Sequence, residues 1–210
     1  MNSLTDLNEK QTKILLVAEK LFAEKGFDGT SIRNIAQEAQ INIAMVSYYF
    51  GSKEKMLESL ILHRIEDIKM QVENLSRENI SPVEKINRFV ELYIQTINKH
   101  KCFYQILLFE QSSKKREIDF QSFSEVKKAN LEIFKKIIAE GQEQGVFKQN
   151  VNVTLIPSTI IGTLVHFRMS RPHYEHVLDL RTEEAYENYI KTELTQHVKQ
   201  TIQSLLKYEN

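Results

Sequence analysis

The chain has no tryptophan, a single cysteine, three prolines and six glycines in 210 residues. One cysteine, Cys102, rules out an internal disulfide and fits a reducing compartment, so the protein is expected in the cytoplasm. With so few glycines and prolines there is little to interrupt long helices, and no polar–apolar alternation runs long enough to build a sheet. Net charge is missing too: 28 basic and 28 acidic side chains balance to +0, which excludes a polyanion-coating protein and an acidic tail. No apolar run approaches a transmembrane span, so no membrane partner is expected, and the polar opening MNSLTDLNEK does not read as a signal peptide. Glycine-rich phosphate loops, nucleophile elbows and paired carboxylates are absent, which leaves no motif for a cofactor and none for catalysis.

What is present is an ordinary globular composition, 41% hydrophobic and 27% charged, and the fold class it predicts is all-α. The most informative stretch is Thr30 to Lys53, TSIRNIAQEAQINIAMVSYYFGSK. Ile32, Ile35, Ala36 and Ala39 recur three and four apart on one helical face, with Arg33, Asn34, Gln37 and Glu38 on the other. Thr30 or Ser31 caps this helix, Gln40-Ile41-Asn42 interrupts it, and Asn42 caps a second short helix from Ile43 to Tyr49. Val46 and Phe50 are spaced to bury with Ile41, which turns Ile43, Ala44, Met45 and Ser47 outward. Apolar side chains exposed on so short a helix mark a surface made to meet something, and a helix held this way by its neighbours fits a DNA major groove.

Ahead of this stretch, a helix from Gln11 to Lys25 is closed by Gly26, where a positive φ costs glycine little, and Phe27 then folds back onto Leu21 or Phe22. Ser52 caps a helix beginning at Lys53, whose free N–H groups suit a phosphate oxygen while Lys53 adds a full charge. Tyr48, Thr30, Ser31 and Arg33 are placed for phosphate contacts that fix register without reading sequence. Residues 1–55 hold seven basic side chains (Lys10, Lys13, Lys20, Lys25, Arg33, Lys53, Lys55) and seven acidic ones (Asp6, Glu9, Glu19, Glu24, Asp28, Glu38, Glu54). Binding to DNA therefore has to come from local placement of charge and not from a general field.

Ala18, Leu21, Phe22, Gly26, Phe27, Thr30, Ile35-Ala36, Ala39 and the run Tyr48-Tyr49-Phe50-Gly51-Ser52-Lys53 stand in the register of a known pattern. The segment resembles the N-terminal DNA-binding domain of the TetR family of ligand-responsive transcriptional regulators. The resemblance implies a helix-turn-helix domain over residues 1–52 and a larger helical ligand-binding and dimerisation domain over residues 53–210. It also assigns base reading to Ile43, Ala44, Met45 and Ser47. The first three offer no side-chain hydrogen bonds, so preference would rest on thymine methyl contacts, Ser47, Asn42 and DNA shape. Family members often carry glycine where this chain has Gln40, and a positive φ there would cost about 1 kcal/mol. Many also carry tyrosine where this chain has Ser47, which reaches less far.

After Lys53 the helices lengthen. Lys53 to Asn74, with Met56, Leu57, Leu60, Ile61, Ile65 and Ile68 at helical spacing, is a connecting helix. Ser81-Pro82 opens another, striped by Val83, Ile86, Phe89, Val90, Tyr93, Ile94 and Ile97. An aromatic-rich segment spans Cys102 to Phe109, and Glu110 to Asp119 reads as a loop or frayed helix end whose Lys114-Lys115-Arg116 is a solvated surface or a second DNA contact. Ser122 to Glu143 resumes the pattern and ends at Gly141 and Gly145. VNVTLIPSTIIGTLVHFRMS is the most apolar stretch, stopped by Arg171-Pro172, and Thr182 to Tyr208 carries a last apolar stripe.

In the resembled family the last two long helices of two subunits form a four-helix dimer interface. Ile160, Ile161, Gly162 and Leu164, with Leu194, Val198 and Ile202, would supply it here, or would instead be buried in the chain's own core. A homodimer would present two recognition helices to the half-sites of a palindromic double-stranded DNA operator. Tyr93, Phe103, Tyr104, Phe109, Phe134, His166 and Phe167 lie on helices that in the family surround a cavity for a small-molecule effector, or they are core. Glu110 and Arg168 would orient a charged ligand or form a surface pair. His166, His173 and His176 with Glu175 do not complete a metal-ligand pattern, and Cys102 within KCFYQILLF is an inert thiol. Two functions remain: a homodimeric, ligand-responsive repressor that is not an enzyme, or a helical protein-interaction module of the same fold without sequence-specific DNA binding.

Overall fold

The computed structural model describes residues 7–113 and 121–207, so the Lys114-Lys115-Arg116 triplet lies outside the described residues. The described residues are helical, with no strand among them. In chain order the helices are α1 (Glu9–Lys25), α2 (Ile32–Ala39), α3 (Ile43–Phe50), α4 (Lys53–Arg77), α5 (Pro82–Lys99), α6 (Lys101–Ser113), α7 (Gln121–Glu143), α8 (Ile156–Met169), α9 (Arg171–Val177), α10 (Glu183–Tyr189) and α11 (Thr195–Leu206). The chain divides into two compact units: residues 1–68 with 100–127, and residues 69–99 with 128–210. Among the described residues no helix is long and apolar enough to cross a membrane, and no group of three or more His, Cys, Asp or Glu could hold a metal ion.

The first unit is built by helix caps and one core. The Asn8 side chain accepts from the Gln11 backbone N–H while the Gln11 side chain accepts from that of Asn8, which starts α1. Gly26 ends α1 with φ +73°, and the Phe27 ring returns to Phe22 at 5.1 Å between centroids. Ile14, Leu15 and Ala18 of α1, Ile35 and Ala39 of α2, Val46 of α3, Leu57 and Ile61 of α4, and Phe103 and Leu107 of α6 bury together. This is enough apolar surface to hold three helices too short to persist in water on their own.

The second unit centres on Phe89 of α5, stacked on Tyr93 at 4.5 Å and against Phe134 of α7 at 4.4 Å. Lys85 of α5 pairs with Glu140 of α7 at 3.0 Å, and Gln203 of α11 donates to Asn87 of α5 at 2.7 Å. α7 runs past Gly141, and the residue there is glycine because a Cβ would lie 2.1 Å from the buried ring of Phe147. Arg171-Pro172 does not simply stop the apolar stretch; it begins α9 with proline in the first turn, where its missing N–H costs nothing. The C-terminal stripe is broken by a π-helical turn over Ile190–Leu194, across which the Thr195 hydroxyl donates to the Ile190 carbonyl at 2.7 Å.

The residues expected at a dimer interface and around a ligand cavity stand as follows in the single chain. Of the residues assigned to a dimer interface, Ile160, Leu164, Leu194, Val198 and Ile202 are buried in the chain's own core. Their stripe faces α5 and its neighbours, leaving Gly162 exposed on the outer side of α8. The aromatic residues assigned to one ligand cavity are accounted for separately. Phe103 and Tyr104 join the first unit's core, and Phe109 in that unit is exposed. In the second unit Tyr93 and Phe134 pack on Phe89, while Phe167 stacks on Tyr186 and Tyr189 and His166 is exposed.

Candidate nucleic-acid interface

The turn between α2 and α3 is set by Gln40, which adopts the left-handed conformation at φ +55°, ψ +45° and donates its N–H to the Ala36 and Gln37 carbonyls. Ile41 then donates to the Ala36 carbonyl at 2.9 Å, so the last turn of α2 is closed without the glycine usual at such a position. The Asn42 side chain accepts from the Ala44 N–H at 2.8 Å and caps α3. That bond uses Oδ1, leaving the amide Nδ2 on the exposed surface to donate outward.

From this start α3 buries Val46 and Phe50 and turns the opposite face to solvent. Ile43 is 47% and Tyr48 83% exposed, Ala44 and Ser47 are exposed, and Met45 is half-buried. The Tyr48 ring packs edge-on to Tyr49 at 5.6 Å. At the start of α2, Ser31 and Arg33 are exposed, and Ser31 caps the helix by accepting from the Asn34 N–H at 3.1 Å.

Two residues expected at phosphates stand elsewhere. Thr30 is 1% exposed, and its hydroxyl donates to the carbonyls of Leu21 at 3.0 Å and Gly26 at 2.9 Å. A buried hydroxyl must find a partner, and the carbonyls at the end of α1 supply it. The Lys53 ammonium donates to the Phe27 and Thr30 carbonyls at 2.7 and 2.8 Å, inside the unit. Ser52 caps α4 as its position suggested, accepting from the Lys55 N–H at 3.1 Å. An ion pair of Glu19 with Arg64, between α1 and α4, was not foreseen. Its signal was legible: Glu19 sits beside Leu15, Ala18 and Phe22 on the apolar face of α1, and Arg64 sits between Leu60, Ile61 and Ile65 on that of α4.

Comparison with known proteins agrees with this geometry. Residues 14–60 match the description "Bacterial regulatory proteins, tetR family", and residues 82–202, more than half of the chain, match "Tetracyclin repressor-like, C-terminal domain". The HTH-type transcriptional repressor NicS of Pseudomonas putida is 28% identical over 163 residues, covering 76% of each protein. Two solved structures share the fold: the ketosteroid transcriptional regulator KstR2 of Mycobacterium tuberculosis, at 21% identity, 98% of both chains and TM-score 0.69, and the regulator FadR from Bacillus subtilis in complex with stearoyl-CoA, at 21% identity, 92% of this chain, 97% of that chain and TM-score 0.69. The chain therefore belongs to the TetR family and is a DNA-binding transcriptional regulator.

Proposed function

We propose that the protein is a homodimeric repressor, not an enzyme, that acts in the cytoplasm, lays α3 in the major groove of a near-palindromic operator and is released by a small molecule. The carrying observation is α3 itself: Val46 and Phe50 anchor it while Ile43, Ala44, Ser47 and Tyr48 face outward. Base preference rests on Ile43, Ala44, Met45 and Ser47, with the free end of the Asn42 amide beside them, and Ser31, Arg33 and Tyr48 meet phosphates. Relatives named as repressors, NicS and KstR2, support the direction of regulation. The stearoyl-CoA held by FadR supports an apolar or amphipathic effector. Release works as a population shift, with the effector favouring an arrangement that fits the operator poorly.

The test is a gel shift with the DNA upstream of the protein's own reading frame, over a series of salt concentrations and with competitor DNA. Retention that survives competitor and weakens steeply with salt supports the proposal; no retention on any promoter fragment favours a protein-interaction module of the same fold. Arg33→Ala should weaken all duplexes alike, whereas Met45→Ala or Ser47→Ala should change preference at one or two base pairs.

A further inference from the structure

We infer that Lys53 is a positioning residue of the DNA-binding unit, whose ammonium clasps the turn between α1 and α2 and so fixes the recognition helix α3, and that it is not a phosphate contact. The inference rests on the assignment of α3 to the major groove. Lys53 is the first residue of α4, separated from the end of α3 only by Gly51 and Ser52. Its Nζ donates to the Phe27 carbonyl at 2.7 Å and the Thr30 carbonyl at 2.8 Å, and it stands 4.2 Å from the centroid of the Phe27 ring. Two of the three ammonium donors are thereby committed to backbone, and the charge rests on an aromatic face.

The receiving turn is shaped for this cation. The Thr30 N–H donates to the Phe27 carbonyl at 3.2 Å, and the Thr30 hydroxyl is tied back to Leu21 and Gly26, so the two carbonyls that accept from Lys53 are held by the same residue. Thr30 immediately precedes Ser31, the cap of α2. The clasp therefore joins the residues just beyond α3 to the residue just before the α2 cap, across 23 positions of sequence. It closes the α2–α3 hairpin at the end opposite Gln40-Ile41-Asn42. Each of those helices has eight residues, too few to hold an orientation without outside support.

Ammonium and guanidinium differ in a way that separates the two roles. Arginine serves a phosphate at least as well as lysine and also stacks on rings, but its longer side chain and rigid planar fork do not match a seat in which one ammonium nitrogen reaches two carbonyls at 2.7 and 2.8 Å. The experiment compares wild type, Lys53→Met and Lys53→Arg as full chains, on the duplex that the wild type enriches from a randomised pool, at a series of salt concentrations. Helix content and thermal midpoint are recorded for each, so that affinity refers to folded protein. Both variants should bind about tenfold more weakly, the size of one charge-assisted hydrogen bond, with the slope of log affinity against log salt unchanged. Near-wild-type affinity of Lys53→Arg, or a slope about 0.9 smaller in Lys53→Met, would overturn the inference in favour of a phosphate contact. Unchanged affinity with only a lowered thermal midpoint overturns it as well, because the clasp would then support the fold without aiming α3. If Lys53→Met does not fold, Lys53→Arg decides between the same outcomes. A wild type that enriches no duplex refutes the major-groove assignment itself, and the inference with it.

Discussion

Arg64 on α4 donates through both Nε and Nη2 to a single oxygen, Oε2 of Glu19 on α1, at 3.0 and 2.6 Å. Each side chain is 9% exposed. Two charges taken out of water are tolerated because each is the other's partner, so removal of one leaves an uncompensated charge among Leu15, Ala18 and Ile61. Arg64→Met should cost about 3–5 kcal/mol in urea unfolding. The double variant Glu19→Met with Arg64→Met should recover most of that loss, since two apolar side chains fit the same site. A double variant as unstable as the single one would show that packing around the pair, and not its charge, is what matters.

Helix ends were the most readable part of the chain. Asn42, Ser52 and Ser81-Pro82 each sit where a short polar side chain or an N–H-free residue satisfies a local need, and local needs are written in a few adjacent residues. Gln40 belongs with them: its left-handed φ follows from its place between two helices even though it is not glycine. Side-chain direction at helix entries was not readable. Thr30 suits a phosphate or a buried carbonyl equally well, and the choice is made by Leu21, nine residues away. Periodicity likewise marks Ile160, Leu164 and Val198 as buried without saying what covers them, and in the structure it is their own chain. Gly141 reads as a terminator; only the ring of Phe147, brought back by the turn after α7, explains a glycine inside a continuing helix.

Tyr93 provides a test in alkaline solution. Its ring stacks on Phe89 and its oxygen accepts from the Asn130 side chain, yet burial outweighs that bond and pushes the phenol from the ordinary 10.0 to about 12. The folded chain therefore holds this proton more tightly than the unfolded chain does. The contribution to stability is fully present below pH 10 and is lost as pH rises from 10 through about 12, by about 2–3 kcal/mol across that interval. Tyr93→Phe has no proton to lose, so its unfolding free energy should fall less steeply over the same range. Parallel curves for wild type and variant would show that the phenol ionises as freely in the folded protein as in the unfolded one.

Gly162 lies on the exposed side of α8, where an added Cβ would meet no atom within 4 Å. Among the described residues nothing requires glycine there, and inside a helix glycine costs about 1 kcal/mol relative to alanine. On the same helix Ile160, Leu164 and Phe167 already fill the core, while Ile161 is half-buried and Met169 is 79% exposed. If two copies meet on this outer face, Gly162 is where their backbones come close, and a long side chain there should separate them without harming either. Gly162→Arg should keep the helix content, sediment as a monomer, show a thermal midpoint that no longer depends on protein concentration, and lose operator affinity because the two recognition helices are no longer linked. Ile160→Ala should do the reverse, lowering stability by about 2–5 kcal/mol and leaving the association of the folded chain intact. A Gly162→Arg variant that still sediments as a dimer would move the interface away from α8, and a monomeric wild type would leave each operator half-site to be bound independently.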